Sequence, residues 1–228
     1  MASSSDGNNV LSAFICMMEN LAEPWGIKDL QSRHLYMNKA ACRYTNTPPT
    51  FNVEGELDQD FPALWAECAE DLQEHDRRTE ESLERVSVIE THYWNGLDYL
   101  TPYISEKFPF FNRDAQCIGT VWNARPLDNL TPAKFINKKK PSVLTTQCNH
   151  PDFTDAEMDI IFLILQRMTA KEMANIYSLS VKTVENRIYS IYQKAGVHSL
   201  RQFEEFCENT HLGNYIPGRL IQKGIHFI

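Results

Sequence analysis

This 228-residue chain lacks the long apolar runs, the paired cysteines and the early basic residues that mark several broad classes of protein. No stretch of about 18 apolar residues occurs, which argues against a transmembrane helix. Lys and Arg are absent before Lys28, so the basic-then-apolar layout of a secretory signal peptide is missing. With 43% hydrophobic and 23% charged residues, the composition predicts a globular soluble protein, and the scattered cysteines described next favour the cytoplasm.

Catalytic and metal-binding signatures are missing as well. The chain contains no G-x-S-x-G elbow, P-loop, HExxH motif or Rossmann glycine motif, and its scattered carboxylates do not indicate a pair around a substrate. The six cysteines contain no CxxC pair, which favours buried, reduced thiols over a disulfide framework or a zinc site. The sequence therefore predicts a protein that is not an enzyme and that has no metal and no cofactor.

Charge is distributed unequally along the chain, whose formal net charge is −8. Residues 1–130 contain 10 Lys and Arg against 21 Asp and Glu, whereas residues 131–228 contain 12 against 9. The resulting net charges of −11 and +3 predict an acidic sensory or partner-binding half and a basic half that binds nucleic acid. Because the positive excess is small for neutralising phosphates, we expect DNA binding to require a dimer.

Residues 169–197 predict two helices joined by a tight turn. Thr169 and Glu172 form a capping box for the first helix, Ser180 can cap the second, and Gly196 occupies the position where a left-handed residue ends a helix. A short helix, a three-residue turn and a helix with a polar face are typical of the helix-turn-helix, although a surface helical hairpin fits the same geometry. The apolar face of the second helix consists of Val181, Val184, Ile188, Ile191 and Tyr192.

The sequence pattern of this segment resembles the DNA-binding domain of LuxR-type transcription regulators. The pattern is Kxx(I/M)A, a turn, and then S-x-KTV-x-x-R-x-x-x-I-Y-x-K-x-GV. The resemblance extends from Phe153 to about Cys207. At its start an F-T-x-x-E phrase opens a first helix, with Thr154 and Glu157 as a second capping box. The resemblance implies an all-α domain of four helices that binds double-stranded DNA. Arg187 stands where the family often has a histidine and Ala195 where it often has a leucine, but arginine can still read guanine. The contacts implied are Lys171, Lys182, Thr183, Val184, Asn186, Arg187, Ser190 and Lys194, with Lys171 and Lys194 as flanking phosphate contacts.

The N-terminal half shows the order strand, turn, strand, Asn, helix in PWGIKDLQSRHLYMNKAACRYT, with strands at Gly26–Lys28 and His34–Met37 and with Asn38 capping a helix at Lys39–Tyr44. This order resembles the opening of a PAS domain. A helical run at Phe61–Arg85 follows, in which we expect the charged residues 70–85 to be largely solvated, and then strands at residues 86–93, 100–110 and 116–124. The resemblance implies an α+β fold over residues 22–127, a five-stranded antiparallel sheet with flanking helices, which senses a signal or joins two subunits.

Cofactor readings of this half find little support. Cys42-Arg43-Tyr44 is similar to part of a flavin-binding motif of photoactive PAS domains, but it lies on the wrong helix and its companion residues are missing. His75 and His92 are candidates for a haem ligand, although isolated histidines in such positions are mostly surface residues. A pocket for a small apolar ligand would be lined by aromatic residues that we expect to fill the core instead, namely Phe61, Trp65, Tyr93, Trp94, Phe110 and Trp122.

The remaining segments complete the predicted order. Residues 1–21 include an amphipathic helix at Val10–Leu21, which predicts core packing or a dimer interface. Residues 128–152 predict a linker with a short helix near Pro132–Asn137 and a basic run, Lys138–Lys140, as a candidate for phosphate contacts. Residues 153–212 form the LuxR-type domain, in which Ser199 caps a last helix at Leu200–Cys207. The tail, residues 213–228, has no assignment.

Together the two resemblances imply a bacterial transcription regulator that acts as a homodimer, and they favour an activator. The order of the halves also resembles the TraJ-type activators of plasmid conjugation genes. A small molecule or a protein is the expected signal at the PAS-like half. The alternative is an interaction or anti-activator protein, in which the acidic half binds a protein partner and the helix-turn-helix is a scaffold. A DNA affinity that falls steeply with salt distinguishes the two hypotheses.

Overall fold

The computed structural model describes residues 13–129, 142–147 and 150–228. The chain divides into two compact units: the first unit runs to Leu127 and also contains Lys223–Ile228, and the second unit runs from Asp128 to Gln222. The helix predicted near Pro132–Asn137 and the basic run Lys138–Lys140 lie outside the described residues. Within the described part, no helix is long and apolar enough to cross a membrane.

The first unit is built on an antiparallel sheet of six strands in the order β2-β1-β5-β4-β3-β8. Its strands are β1 (Trp25–Asp29), β2 (His34–Met37), β3 (Val86–His92), β4 (Thr101–Phe111), β5 (Cys117–Pro126) and β8 (Gly224–Phe227). The short strands β6 (Asp128–Asn129) and β7 (Ser142–Val143) pair with each other in the second unit. The prediction of five strands is wrong in number because the tail supplies β8. Its partner β3 is so distant in sequence that no local pattern indicates the pairing.

Three helices accompany this sheet: α1 (residues 13–19), α2 (Lys39–Tyr44) and α3 (Ala69–Ser82). Helix α2 has the predicted bounds, and the Asn38 side chain accepts a hydrogen bond from the backbone N–H of Ala41, as predicted. The single helical run predicted from Phe61 to Arg85 is instead divided into a 3-10 turn at Leu64–Cys68 and helix α3.

Helix α3 packs its inner side against the sheet and is less solvated than its charged sequence suggests. His75, Asp76 and Thr79 are each 0% exposed, although the expectation was a largely wet face. Asp76 meets the side chains of Lys28, Lys107 and Thr120 on the sheet. The His75 ring contacts a strand carbonyl, and the Thr79 hydroxyl donates to the His75 carbonyl in its own helix. In α1, Met18 packs into the core, whereas Phe14 and Ile15 are 47% and 40% exposed.

The second unit contains the four predicted helices: α4 (Asp155–Leu165), α5 (Ala170–Tyr177), α6 (Val181–Ala195) and α7 (Leu200–Asn209). The predicted capping boxes, Thr154 with Glu157 and Thr169 with Glu172, are both formed, and Ser180 and Ser199 cap α6 and α7. Gly196 ends α6 at φ +66°, as predicted. The core of this unit is apolar, with Met158, Ile160, Ile161, Met173, Ile191 and Phe203 at most 1% exposed.

The part of the tail that belongs to the second unit returns to helix α4. The Tyr215 hydroxyl donates to Asp159 at 3.1 Å, and the Arg219 guanidinium pairs with the same carboxylate. Arg219 also lies 3.7 Å from the centroid of the Tyr177 ring, at the end of α5. These contacts fasten the segment after α7 to the first two helices of the unit. The five described cysteines are free thiols, but only Cys68 and Cys207 are buried.

Candidate nucleic-acid interface and buried cavity

Helix α6 is held from behind and capped at both ends. Val184 and Ile191 are 0% exposed, and they anchor one side of the helix in the core. The turn before it begins at Ser178, which is left-handed at φ 51°, and ends at Ser180, whose hydroxyl accepts a hydrogen bond from the backbone N–H of Thr183 at 3.0 Å. The predicted three-residue turn is therefore present, and it fixes the direction of α6.

The polar residues predicted to contact DNA lie mostly on the other side of α6. Lys182 has a side chain that is 77% exposed and 3.7 Å from the Glu185 carboxylate, and Asn186 is exposed as well. Thr183, Arg187 and Ser190 are half-buried beside this face, and Lys171 is exposed on the first turn of α5. Val184 is the exception. Its side chain is 0% exposed and packs in the core, so it is not presented to DNA.

The predicted cations of this unit differ in their present partners. The Lys194 ammonium lies 2.7 Å from the Glu157 carboxylate, so a phosphate would have to compete with an existing ion pair. Although burial opposes it, the hydrogen bonds from Lys194 and Thr154 hold the pKa of Glu157 below its ordinary value. Within the described residues, Lys171 and Arg187 form no ion pair and are available to an anion.

Two further exposed side chains, which the sequence did not single out, lie on the same face. Tyr189 is 68% exposed, and Gln193 is exposed one turn further along the helix. With Lys182 and Asn186 they follow a spacing of four, three and four residues, which places all four side chains in one stripe. That spacing is legible in the sequence, but the aromatic ring of Tyr189 resembles a core residue until the structure shows it in solvent.

Two family models match the chain where these features lie. Residues 151–205 match the luxR family of bacterial regulatory proteins, and residues 18–130 match the PAS fold. The chain combines a PAS domain with a LuxR-type regulatory domain. This architecture is that of a DNA-binding transcription regulator, as the sequence predicts.

Solved structures of VqmA share the fold of both domains. VqmA of Vibrio cholerae, in a complex with ligand and DNA, is 23% identical, with 95% of this chain and 96% of that chain covered at a TM-score of 0.78. A phage VqmA in complex with DPO is 23% identical, with 99% and 100% covered and a TM-score of 0.69. A Vibrio cholerae VqmA dimer in the absence of target DNA is 22% identical, with 95% of each chain covered and a TM-score of 0.51. No curated protein matches the chain in sequence.

The PAS domain encloses a cavity of about 30 Å³, which has room for about two water molecules. Three of the six aromatic residues named from the sequence, Trp65, Trp94 and Trp122, line it, whereas Phe61, Tyr93 and Phe110 do not. The other lining residues are mostly polar, which the sequence analysis did not anticipate. They are Lys28, His34, Tyr44, Thr45, Asp58, Leu72, Glu90, Ser105 and Lys107.

Two buried lysines and two buried aspartates form one network beside the cavity. The Lys28 ammonium lies 2.6 Å from Asp58 and 3.2 Å from Asp76, and the Lys107 ammonium lies 2.5 Å from Asp76. Each of the four side chains is at most 3% exposed. Burial raises the pKa of both aspartates, but the lysines outweigh it and hold both below their ordinary range. The network is therefore charged and internally balanced.

Glu90 on β3 is a buried acid that takes no part in these ion pairs. Its carboxylate accepts a hydrogen bond from the Tyr44 hydroxyl at 2.5 Å, and within the described residues it forms no ion pair. Burial raises the pKa of Glu90 to about 7. The cavity wall therefore holds one carboxyl group that changes its charge near neutral pH.

His34 presents a second polar group to the cavity. Burial and the nearby Lys28 charge lower its pKa, so the ring is neutral. Its Nε2 lies 3.0 Å from Asp58, a carboxylate that can only accept, which leaves Nδ1 as an acceptor. Within the described residues, Nδ1 of His34 has no hydrogen-bond partner.

The two histidines considered as haem ligands are not surface residues. His75 and His92 are 0% and 1% exposed, because their Nε2 atoms contact the Val86 carbonyl at 2.9 Å and the Glu67 carboxylate at 2.7 Å. Both rings therefore bond through Nε2, and within the described residues the Nδ1 atom of each is buried without a hydrogen-bond partner. Among the described residues, no group of three or more His, Cys, Asp or Glu side chains could hold a metal ion.

Proposed function

We propose that the chain regulates transcription by placing α6 in the major groove of specific DNA sequences. The observation that supports this is a stripe of exposed polar side chains on a helix whose opposite side is locked into the core. Lys182, Asn186 and Arg187 are the candidates for base contacts. Thr183, Ser190 and the flanking Lys171 and Lys194 suit phosphate or groove contacts, and Tyr189 and Gln193 extend the same face.

We propose further that the functional form is a homodimer. The small positive excess of the C-terminal half makes two DNA-binding units necessary, and one VqmA structure is described as a dimer. The sheet face opposite α3 carries half-buried apolar side chains that a second PAS domain would cover. They are Ile104, Phe108, Phe110 and Val121.

We also propose that the PAS cavity, which has room for about two water molecules as it stands, widens to bind a small molecule and thereby regulates DNA binding. The cavity wall offers Glu90, the free Nδ1 of His34 and three indole rings, and VqmA structures contain a ligand or DPO.

Titration calorimetry of the full chain with DPO as the probe should show saturable binding that weakens in Glu90→Gln but not in the exposed control Glu84→Gln. No heat at any concentration would exclude DPO as the ligand. We infer that the chain acts in the cytoplasm, by binding rather than by catalysis.

Genome-wide capture of bound DNA tests the central proposal. The wild-type chain should give sharp peaks upstream of genes, and the double variant Lys182→Ala/Arg187→Ala should lose them. Arg201→Ala is the matched control, since this exposed cation lies on α7 and not on α6. Broad signal that is the same in all three proteins would contradict a DNA-reading role for α6.

A further inference from the structure

The outer edge of β3 is covered by a strand that neither family match includes. Strand β8 runs antiparallel to β3, with Val88 opposite Phe227 and Glu90 opposite Ile225. The backbone N–H of Ile228 extends the pairing by donating to the Ser87 carbonyl at 3.2 Å. The family models end at residues 130 and 205, so this strand is an addition to both patterns.

Side chains anchor β8 at three points along its length. The Phe227 ring meets the His75 ring edge-on at 5.8 Å between centroids, and the Arg78 guanidinium lies 3.9 Å from the Phe227 centroid. Ile225 packs against the hydrophobic core of the first unit. Before the strand begins, the Lys223 ammonium contacts the Glu67 carboxylate at 2.6 Å. The surface that binds this segment therefore has three parts, which contact an aromatic, an aliphatic and a basic side chain of the segment.

We propose that the β3 edge, together with helix α3 and Glu67, is a peptide-binding groove for which residues 223–228 of the same chain are the built-in ligand. Addition of a strand to a sheet edge is a common mode of peptide recognition, in which main-chain hydrogen bonds supply affinity and alternate side chains supply specificity. Here Phe227 and Ile225, two residues apart, are the alternate side chains. The recognised sequence is an extended segment with a basic residue, an aliphatic residue and an aromatic residue at alternate positions.

The groove is separable from the fold that carries it. Strands β1 to β5 already form a sheet with its own hydrophobic cluster, and β8 adds four residues at one edge. The segment just before β8 belongs to the second unit, so β8 is the one strand of this sheet that follows the LuxR-type domain in the chain. Occupation of the groove therefore joins the two units through a second chain connection, in addition to the one after Leu127.

A labelled peptide tests the groove directly. The probe is a fluorescein-labelled peptide of residues 222–228 with blocked ends, and the protein is the chain truncated after Gln222. Fluorescence anisotropy should show saturable binding, about tenfold weaker for the Phe227→Ala peptide and nearly unchanged for Ile228→Ala, whose side chain is 71% exposed. The full chain should bind less peptide than the truncated chain because its groove is occupied. Equal binding of all three peptides, or no binding to a truncated chain that is folded by circular dichroism, would overturn the proposal.

Hydrogen exchange on the full chain covers the case in which truncation prevents folding. Because β8 is an edge strand, every second amide of residues 224–228 donates to β3, among them that of Ile228. These amides should be protected in wild type and in Ile228→Ala, and should lose protection in Phe227→Ala. Exchange of this segment at the rate of an unstructured peptide in wild type would refute the groove.

The mass in solution then identifies which copy supplies the strand. The chain truncated after Gln222 should have the same oligomeric state as the full chain. If the full chain is a dimer and the truncated chain is a monomer, the strand comes from the other copy and the proposal of a ligand from the same chain is wrong. None of these measurements needs DNA or a small molecule, so they succeed or fail independently of the proposed function.

Discussion

Single residues on α6 fall into those that hold the helix in place and those that are free to bind. Val184 belongs to the first group, although its place in the family pattern suggested the second. Arg187 is half-buried beside the exposed face, and within the described residues it has no ion-pair partner. An arginine in this state loses little on meeting a base or a phosphate, because no existing contact has to break.

Replacement of Arg187 by alanine should therefore weaken DNA binding. If the guanidinium reads a guanine, we expect a loss of about 1–3 kcal/mol at the preferred site and a smaller loss on unrelated DNA. The measurement is a titration of both duplexes at one fixed salt concentration, with Arg201→Ala as the control for charge. An equal loss on both duplexes would show that Arg187 contacts phosphate only.

Glu90 predicts how the stability of the PAS domain depends on pH. Burial raises its pKa in the folded chain to about 7, against 4.5 for an ordinary glutamate. Between these pH values the unfolded chain loses the proton while the folded chain keeps it. The free energy of unfolding should therefore fall as pH rises from about 4.5 to about 7, by on the order of 3 kcal/mol from this group, and then level off.

The variant Glu90→Gln removes this titration. The difference in free energy of unfolding between the variant and wild type should therefore be more favourable to the variant at pH 8 than at pH 5. All four tryptophans lie between residues 25 and 122, so denaturant unfolding followed by tryptophan fluorescence reports on the PAS domain alone. Glu80, whose pKa burial also raises to about 7, is present in both proteins and cancels in the difference. Parallel pH profiles for wild type and Glu90→Gln would contradict the assignment, and Glu84→Gln provides the exposed control.

At the scale of elements, the sequence was most informative where structure is local. A capping box joins residues three apart, and both predicted boxes and the left-handed Gly196 are present. Local patterns could not reveal the buried side of α3, because the partners that bury Asp76 come from β1, β4 and β5. They could not reveal β8 for the same reason. The polar cavity wall was also missed, since it assembles residues from β1, β2, β3, β4 and the segments between them.

The network that joins these elements should be costly to break from one side. Lys107→Met leaves the Asp76 carboxylate buried with fewer donors, and we expect the PAS domain to lose about 3–5 kcal/mol of unfolding free energy. Lys107→Met combined with Asp76→Leu should lose less than the sum of the two single changes, because the charges disappear together. Tryptophan fluorescence in denaturant again gives the measurement.

The exposed Lys39→Met, whose side chain is 75% exposed, is the matched control and should change stability by less than about 1 kcal/mol. A similarly small effect of Lys107→Met would mean that the buried ion pairs contribute nothing to the stability of the domain.

At the scale of the whole molecule, one strand is shared between three features. Strand β3 carries Glu90 in the cavity wall, pairs with β4 on one side and seats β8 on the other. The chain leaves the first unit after Leu127 and returns to it at Lys223. A change at the cavity wall is therefore one strand away from β8, the strand that follows the DNA-binding helices in the chain.

The uneven charge of the molecule makes salt the most informative variable for its function. The acidic half repels DNA, so affinity has to come from the few cations around α6, and each phosphate neutralised releases counterions. If one unit engages about three phosphates, the slope of log affinity against log salt should be about −3, and a dimer should reach about −6. Titrations of the full chain with promoter DNA from the capture experiment, from low to physiological salt, measure this slope. Lys182→Ala should make it less steep, and Arg201→Ala should not.

A full chain that shows no affinity for duplex DNA at physiological salt would instead support the scaffold hypothesis, in which the acidic half binds a protein and α6 reads nothing.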